Sequence, residues 1–274
     1  MSNIDTGTDD LLATLENGVA VITLNRPEAR NAMSGPMNEA LKQRLAEFEV
    51  DPDVKVVVLT GAGKGFCAGG DVKGMNAANS GGDGRSATLD EQIASQRINQ
   101  RATSGKLFRM PKPTIAALPG AAAGAGLSLA LACDMRIMAS NAILTTAFAR
   151  VGFSGDYGGT YFMTQLIGSA KAREFYYLSD RVSAEESLAL GLTNWVCEPE
   201  ELMERTMDIA GRLANGPVLA YRYMKENLNR AMSGEVDDCL DLEATHHVHA
   251  GLTEDHREAA KAFVEKREPQ FKGR

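Results

Sequence analysis

No apolar run in this chain approaches the roughly 18–20 residues that a bilayer-spanning helix needs, so a membrane partner is not expected. Basic side chains are the minority: 29 Lys and Arg stand against 36 Asp and Glu, a formal net charge of −7. A nucleic-acid binder normally carries a basic stripe, and that class is set aside. Cysteine is scarce. Cys67, Cys133, Cys197 and Cys239 are spread evenly, with no CxxC pair and no Cys–His spacing of the zinc type. The opening MSNIDTGTDD is polar and acidic, unlike a secretory signal. Reduced thiols in a cytoplasmic protein are therefore expected rather than a disulfide framework. Cys67 lies in a glycine-rich loop, where filling space is favoured over reactivity.

With 44% hydrophobic and 24% charged residues over 274 positions, the composition is that of a soluble globular protein. The length suits one domain, or one domain with a small appendage. Apolar runs at 11–15 and 19–24 flank Glu16-Asn17-Gly18, a hairpin signature. Ser34-Gly35-Pro36 opens a helix with Met37, Leu41, Leu45 and Phe48 on one face. KVVVLT at 55–60 reads as a buried strand, followed by a glycine-rich loop at 61–70. Residues 76–86 are rich in Gly, Asn and Ser and look like an insertion, with a helix expected over 89–108. Strands are expected at 114–118 and 135–139, with a second glycine-rich loop at 120–126 and a small-residue helix at 127–132 between them. This cycling predicts an α/β chain with strands stacked in sequence order.

Past Ser169 the pattern turns almost wholly helical. Ser183 to Glu186 is a capping box and Gly191 is placed to end its helix. Further helices are expected at 199–215, 217–232, 234–251 and 253–266. They are amphipathic and too short a set to stand alone, so they should pack on the core or on a partner subunit.

Two loops look able to carry chemistry. Glycines in GAGKGFCAGGDVK (61–73) let a ligand approach the main chain and can aim N–H groups into a pocket. The loop matches neither the dinucleotide fingerprint nor the P-loop. GAAAGAG (120–126) opens a helix, whose first turn has free N–H groups and a positive dipole end. One N–H from each loop could hold an enolate oxygen, as an oxyanion hole does.

The stretches LNRPEARNAM, KGFCAGGDVK, PGAAAGAGLSLALACDMRIMAS, VGFSGDYGGTYFMTQLIGSAKAREFYYLSDRVSAEESLALGLTNWV and EDHREAAKAFVEKREPQFKGR occur in that order. Together they resemble the enoyl-CoA hydratase/isomerase family, the crotonase superfamily, over nearly the whole chain. The resemblance implies a spiral of ββα units over 1–198 holding the CoA and acyl pocket, and a helical trimerisation region over 199–274. It implies a homotrimer or dimer of trimers acting on an acyl-CoA thioester, with coenzyme A part of the substrate and no separate cofactor or metal. By position, Gly70 and Ala125 are the oxyanion donors. Arg26, Arg30, Ala32, Ala68, Asp71, Val72 and Lys73 fall along the CoA path, with Asp71 assigned to loop geometry. Phe263 and Lys266 match positions that cover a neighbour's CoA. Arg26, Arg30, Lys73 and Lys266 are the candidate phosphate contacts.

The chain departs from the family's hydratase pattern. The two positions that carry glutamates in a 2-enoyl-CoA hydratase of this family are Ser128 and Phe148 here. Water addition needs a base and an acid, and neither residue supplies one. A carboxylate remains at Asp156, in Gly155-Asp156-Tyr157-Gly158-Gly159. Some family members place a working aspartate in a PDxGG-like segment. In an apolar pocket its pKa would rise and suit proton shuttling; the competing reading is that Asp156 caps the following helix. Met75, Phe148, Tyr157 and Tyr161 are candidate pocket walls, and Ser154 a candidate positioning group. The favoured reading is an Asp156-dependent proton transfer such as double-bond isomerisation. The alternatives are a hydratase drawing acids from Asp90 or Glu91, a C–C bond hydrolase, and a non-catalytic acyl-CoA binder. His246, His247, His249 and His256 have partly helical spacing, but a metal reading is not favoured.

Overall fold

The computed structural model describes residues 2–71 and 87–274. Asn17 and Gly18 both take left-handed φ, 50° and 81°, as a type I′ turn requires. The turn joins β2 (Leu11–Glu16) to β3 (Val19–Leu24) in antiparallel register, with β1 (Ser2–Ile4) outside. Ser34 Oγ accepts from the Met37 N–H and caps the helix Gly35–Val50. Met37, Leu41, Leu45 and Phe48 are its buried face, as the spacing predicts.

The main sheet has seven strands in the order β1-β2-β3-β4-β6-β8-β11. From β3 onward, β4 (Val56–Gly61), β6 (Thr114–Leu118), β8 (Met135–Ala139) and β11 (Trp195–Cys197) run parallel. Both faces are covered. Val57 and Leu59 enter one core while Val56 and Val58 enter the other. A strand buried on both sides is apolar throughout rather than alternating, which explains KVVVLT.

A second sheet orders β10 (Val182–Ser183), β9 (Ile143–Thr145), β7 (Ala121–Ala123) and β5 (Gly65–Cys67). Each turn of the chain lays one strand in the main sheet, one in the small sheet, and then a helix. Thus β6 and β7 precede the helix Ala125–Ala132, and β8 and β9 precede the helix Gly159–Leu178. This is the spiral of ββα units that the family resemblance implies. Strands β5 and β7 hide inside the two glycine-rich loops, because three residues are too few for a periodic signal.

Two expectations need correction. The helix expected over 89–108 is two, Leu89–Ala102 and Ser104–Arg109, because Thr103 takes φ −116°, ψ −92°. The region after Ser169 is not all helical: Trp195–Cys197 extends the main sheet beside β8. The helix Leu202–Ala214 packs on the chain's own core, one of the two placements its amphipathic pattern left open. Its Leu202 and Ala210 share the second core with Val56 and Ile115. Among the described residues, no helix is long and apolar enough to cross a membrane.

Candidate active site

Asn31 organises the first loop. It is fully buried, and its Nδ2 donates to Ala62 O (2.9 Å) and Gly65 O (2.8 Å) while its Oδ1 accepts from the Arg26 N–H. The Met33 N–H donates to Gly69 O at 2.8 Å, and Met33 bridges to Gly70. Gly69 has φ +93°, and a Cβ there would lie 3.0 Å from Ala123 O and 3.3 Å from Ala125 N. The backbone around Gly70 thus lies against the start of the helix Ala125–Ala132. Ala125 is the first residue of that helix, so its N–H has no acceptor within the helix. The two segments expected to supply oxyanion donors are in direct contact.

The turn holding Asp156 is held by left-handed residues on both sides: Gly155 (φ +114°), Tyr157 (+49°) and Gly158 (+76°). A tyrosine in that region is uncommon and needs support. Gln100 supplies it, its Oε1 accepting from the Tyr157 N–H at 2.6 Å. Asp156 is half-buried. Its Oδ1 is sealed from solvent with no hydrogen-bond partner among the described residues, and burial pushes the carboxyl up to about 6. The capping reading is overturned. The next helix has Gly158 at its N-cap with no side-chain cap, and only the Asp156 backbone carbonyl accepts there, from Gly159.

Ser128 and Phe148 line the same region. Ser128 is buried and donates to Gly124 O at 3.2 Å. Phe148 stacks on Tyr176, with ring centroids 5.9 Å apart. Tyr176 was not foreseen from sequence. Its phenol reaches the Ser128 hydroxyl and feels the Asp156 charge; burial first, and that charge second, push it up. A Cβ on Gly159 would come within 2.3 Å of Ser128 Oγ and 2.6 Å of the Tyr176 hydroxyl. Tyr176 thus links the Asp156 turn to the helix that starts at Ala125.

The Tyr157 phenol is pushed up to about 12, mainly by burial, and is neutral near pH 7. Tyr161 packs edge-on against Phe108 and Phe162, while Ser154 is exposed. Cys67 is fully buried and its thiol is pushed up to about 12 by that burial. It donates to Asn31 O, a packing role.

Arg26 uses its guanidinium within the fold. It donates to Ala32 O (2.8 Å) and pairs with Asp71 Oδ2 (3.0 Å), with Asp10 at 3.7 Å. Asp71 is thereby tied to loop geometry. The Ala68 N–H donates to Arg30 O at 3.0 Å, aligning the 30–32 and 68–70 segments. Arg30 and Lys266 are exposed and left-handed, and Phe263 is 86% exposed. Val72, Lys73, Met75 and the segment 76–86 lie outside the described residues. Glu91 is engaged in a capping box with Thr88, and Asp90 is exposed beside it. Among the described residues, no group of three or more His, Cys, Asp or Glu converges on a common point. His246 stacks on Tyr223 and contacts Asn227 and Glu226.

The sequence profile of the family described as enoyl-CoA hydratase/isomerase matches residues 14–274. The chain is 35% identical over 264 residues to 1,2-epoxyphenylacetyl-CoA isomerase of Escherichia coli, covering 96% of this chain and 98% of that protein. It is 33% identical over 272 residues to short-chain-enoyl-CoA hydratase of Clostridium acetobutylicum, covering 97% and 99%. The crystal structure of an enoyl-CoA hydratase from Polaromonas sp. JS666 superposes with TM-score 0.88 at 33% identity, covering 96% of this chain and 99% of that one. A profile match over 14–274, whole-length identity at this level and a superposable fold mean that the chain belongs to the enoyl-CoA hydratase/isomerase family, the crotonase superfamily.

Proposed function

We propose that this enzyme binds an unsaturated acyl-CoA thioester and moves its double bond by proton transfer through Asp156. The Gly70 and Ala125 N–H groups hold the thioester oxygen and stabilise the negative charge that develops there. For a 3-enoyl thioester, the Asp156 carboxylate removes a C2 proton. The electron pair is held as a dienolate on the thioester oxygen, and the resulting carboxylic acid returns the proton at C4, leaving the conjugated 2-enoyl product. No separate cofactor enters the reaction.

The observation that carries this reading is the buried Asp156 oxygen, which has no hydrogen-bond partner among the described residues, on a carboxyl pushed up to about 6. A base of that strength both accepts and returns a proton near neutrality. Ser128 and Phe148 stand where the family's hydratases carry glutamates. Neither activates water, so isomerisation is favoured over hydration. Backbone at Arg26–Ala32 and Ala68–Val72 would run along the CoA, with Arg30 and Lys73 near its phosphates. Phe263 and Lys266 of a neighbouring subunit would cover it, in a trimer or a dimer of trimers.

The test follows conjugated-thioester absorbance with 3-enoyl-CoA and 2-enoyl-CoA, using wild type and Asp156→Asn. Absorbance is expected to rise from the 3-enoyl substrate, and the variant to lose about 10²–10⁴-fold in rate. Rapid loss of absorbance from the 2-enoyl substrate, unchanged in the variant, would establish a hydratase instead.

A further inference from the structure

Beside the Asp156 turn lies a cavity of about 570 Å³ that no step above uses. Tyr157 and Gly158 form its wall toward the site, and Phe108 supplies apolar surface. Arg97, Arg101 and Arg109 line it, and among the described residues no acidic side chain does.

This is an unusual placement in a chain of net charge −7. Arg97 and Arg101 are one helical turn apart, where like charges repel. The dipole at a helix C-terminus favours a cation, which accounts for Arg101 and Arg109 singly. It does not account for their convergence with Arg97 on one cavity. None of the three makes an ion pair among the described residues. Nor do they serve Asp156, whose shift has burial as its cause and no cationic contribution. The cavity therefore combines an apolar wall with guanidinium groups that have no ion-pair partner among the described residues, and it lies beside the residue assigned to proton transfer.

We infer that this cavity receives the far end of the acyl group and that this end carries a carboxylate. The substrate class is then the CoA thioester of an unsaturated dicarboxylic acid. An arginine fork matches a carboxylate in shape and charge. This deepens the reading above and rests on its assignment of the acyl site beside Asp156.

The test is calorimetric binding of unreactive saturated thioesters, so that it needs no turnover. Adipyl-CoA and suberyl-CoA are compared with hexanoyl-CoA and octanoyl-CoA, with free adipate as a further arm. At least one dicarboxylyl thioester is expected to bind about tenfold or more tighter than its neutral match. In an Arg97→Gln/Arg101→Gln/Arg109→Gln variant that ratio is expected to fall toward one. All three positions are exposed, where substitution is usually tolerated; circular dichroism checks that the variant is folded.

Equal affinities within each pair in wild type would overturn the inference. So would an equal loss for both members in the variant, since that places the arginines on the CoA phosphates that the ligands share. Free adipate binding as tightly as adipyl-CoA would also overturn it, by making the site an independent anion site. A protein that prefers adipyl-CoA yet fails the double-bond assay on an unsaturated dicarboxylyl thioester would sink the isomerase reading and leave this one standing. An active isomerase that binds both members equally would do the reverse.

Discussion

At the scale of single residues, the proposed proton transfer would make Asp156 couple catalysis to stability with opposite signs. As a base it works only when ionised. The ratio kcat/KM is therefore expected to rise with pH through about 6 and level off above it, which a pH–rate profile on the 3-enoyl thioester checks. Stability runs the other way. The folded carboxyl sits above its ordinary value of 3.8, so its contribution is fully present below that value and is lost as pH rises through about 6. Asp156→Asn removes the ionising group at nearly constant shape. The variant is expected to melt higher than wild type at pH 8 and to converge with it below about pH 4. Allowing for solvent screening of a half-buried group, the gap is about 1–2 kcal/mol, or a few degrees in a chain of this size. Thermal melts at both pH values read this directly. Asp156 stood out in the sequence as a carboxylate between glycines in a segment that resembles a PDxGG-like stretch of the family, while Ser128 and Phe148 replace the hydratase glutamates. Its supports did not. Gln100 reaches the turn from a helix 57 residues back along the chain, and Tyr176 from the last turn of the helix that follows it; each reads in sequence as an ordinary helical side chain.

At the scale of elements, the oxyanion geometry proposed for Gly70 and Ala125 would depend on how closely helix Ala125–Ala132 sits on β5. Gly126 is the point of contact: a Cβ there would lie 2.5 Å from Cys67 O and 2.6 Å from Cys67 Cβ. One of those atoms is backbone in a paired strand and cannot swing aside. Gly126→Ala is expected to push the helix start off β5, destabilise the protein by about 1–3 kcal/mol and lower kcat more than binding, since the Ala125 N–H moves with it. Gly211, inside the helix Leu202–Ala214, is the control. Nothing lies within 4 Å of a Cβ there, so Gly211→Ala is expected to stabilise by about 0.5–1 kcal/mol. Melting curves and steady-state kinetics on the pair separate close packing from generic glycine effects. The glycine density of both loops signalled close backbone approach. The small sheet through which they approach was legible only by family resemblance, since β5 and β7 are too short to show a period.

At the scale of the whole molecule, the last helices lack enough of a core to explain their presence. Lys225 is the one buried residue of Val218–Ala231, and His246 the one buried residue of Val236–Gly251. Lys225 moors its helix with an amine: Nζ donates to Leu107 O and Lys112 O and pairs with Asp134 at 2.9 Å. That anchor fixes position, but it buries little apolar surface. Leu228, Val236, Leu240 and Leu252 all face solvent in the single chain, and patches of this kind mark contact surfaces. Isolated helices of this length are marginal in water, so a second chain is expected to supply the missing burial. Sedimentation of wild type should give a mass of three or six chains. A Leu228→Glu/Leu240→Glu variant is expected to shift that mass toward one chain and to lower the melting temperature. It is also expected to raise KM for any CoA thioester, because Phe263 and Lys266 would no longer reach a neighbour's CoA. A wild type that sediments as a single chain, with these helices fully protected from hydrogen exchange, would show that they are stable alone. Phe263 and Lys266 would then have no neighbouring CoA to cover.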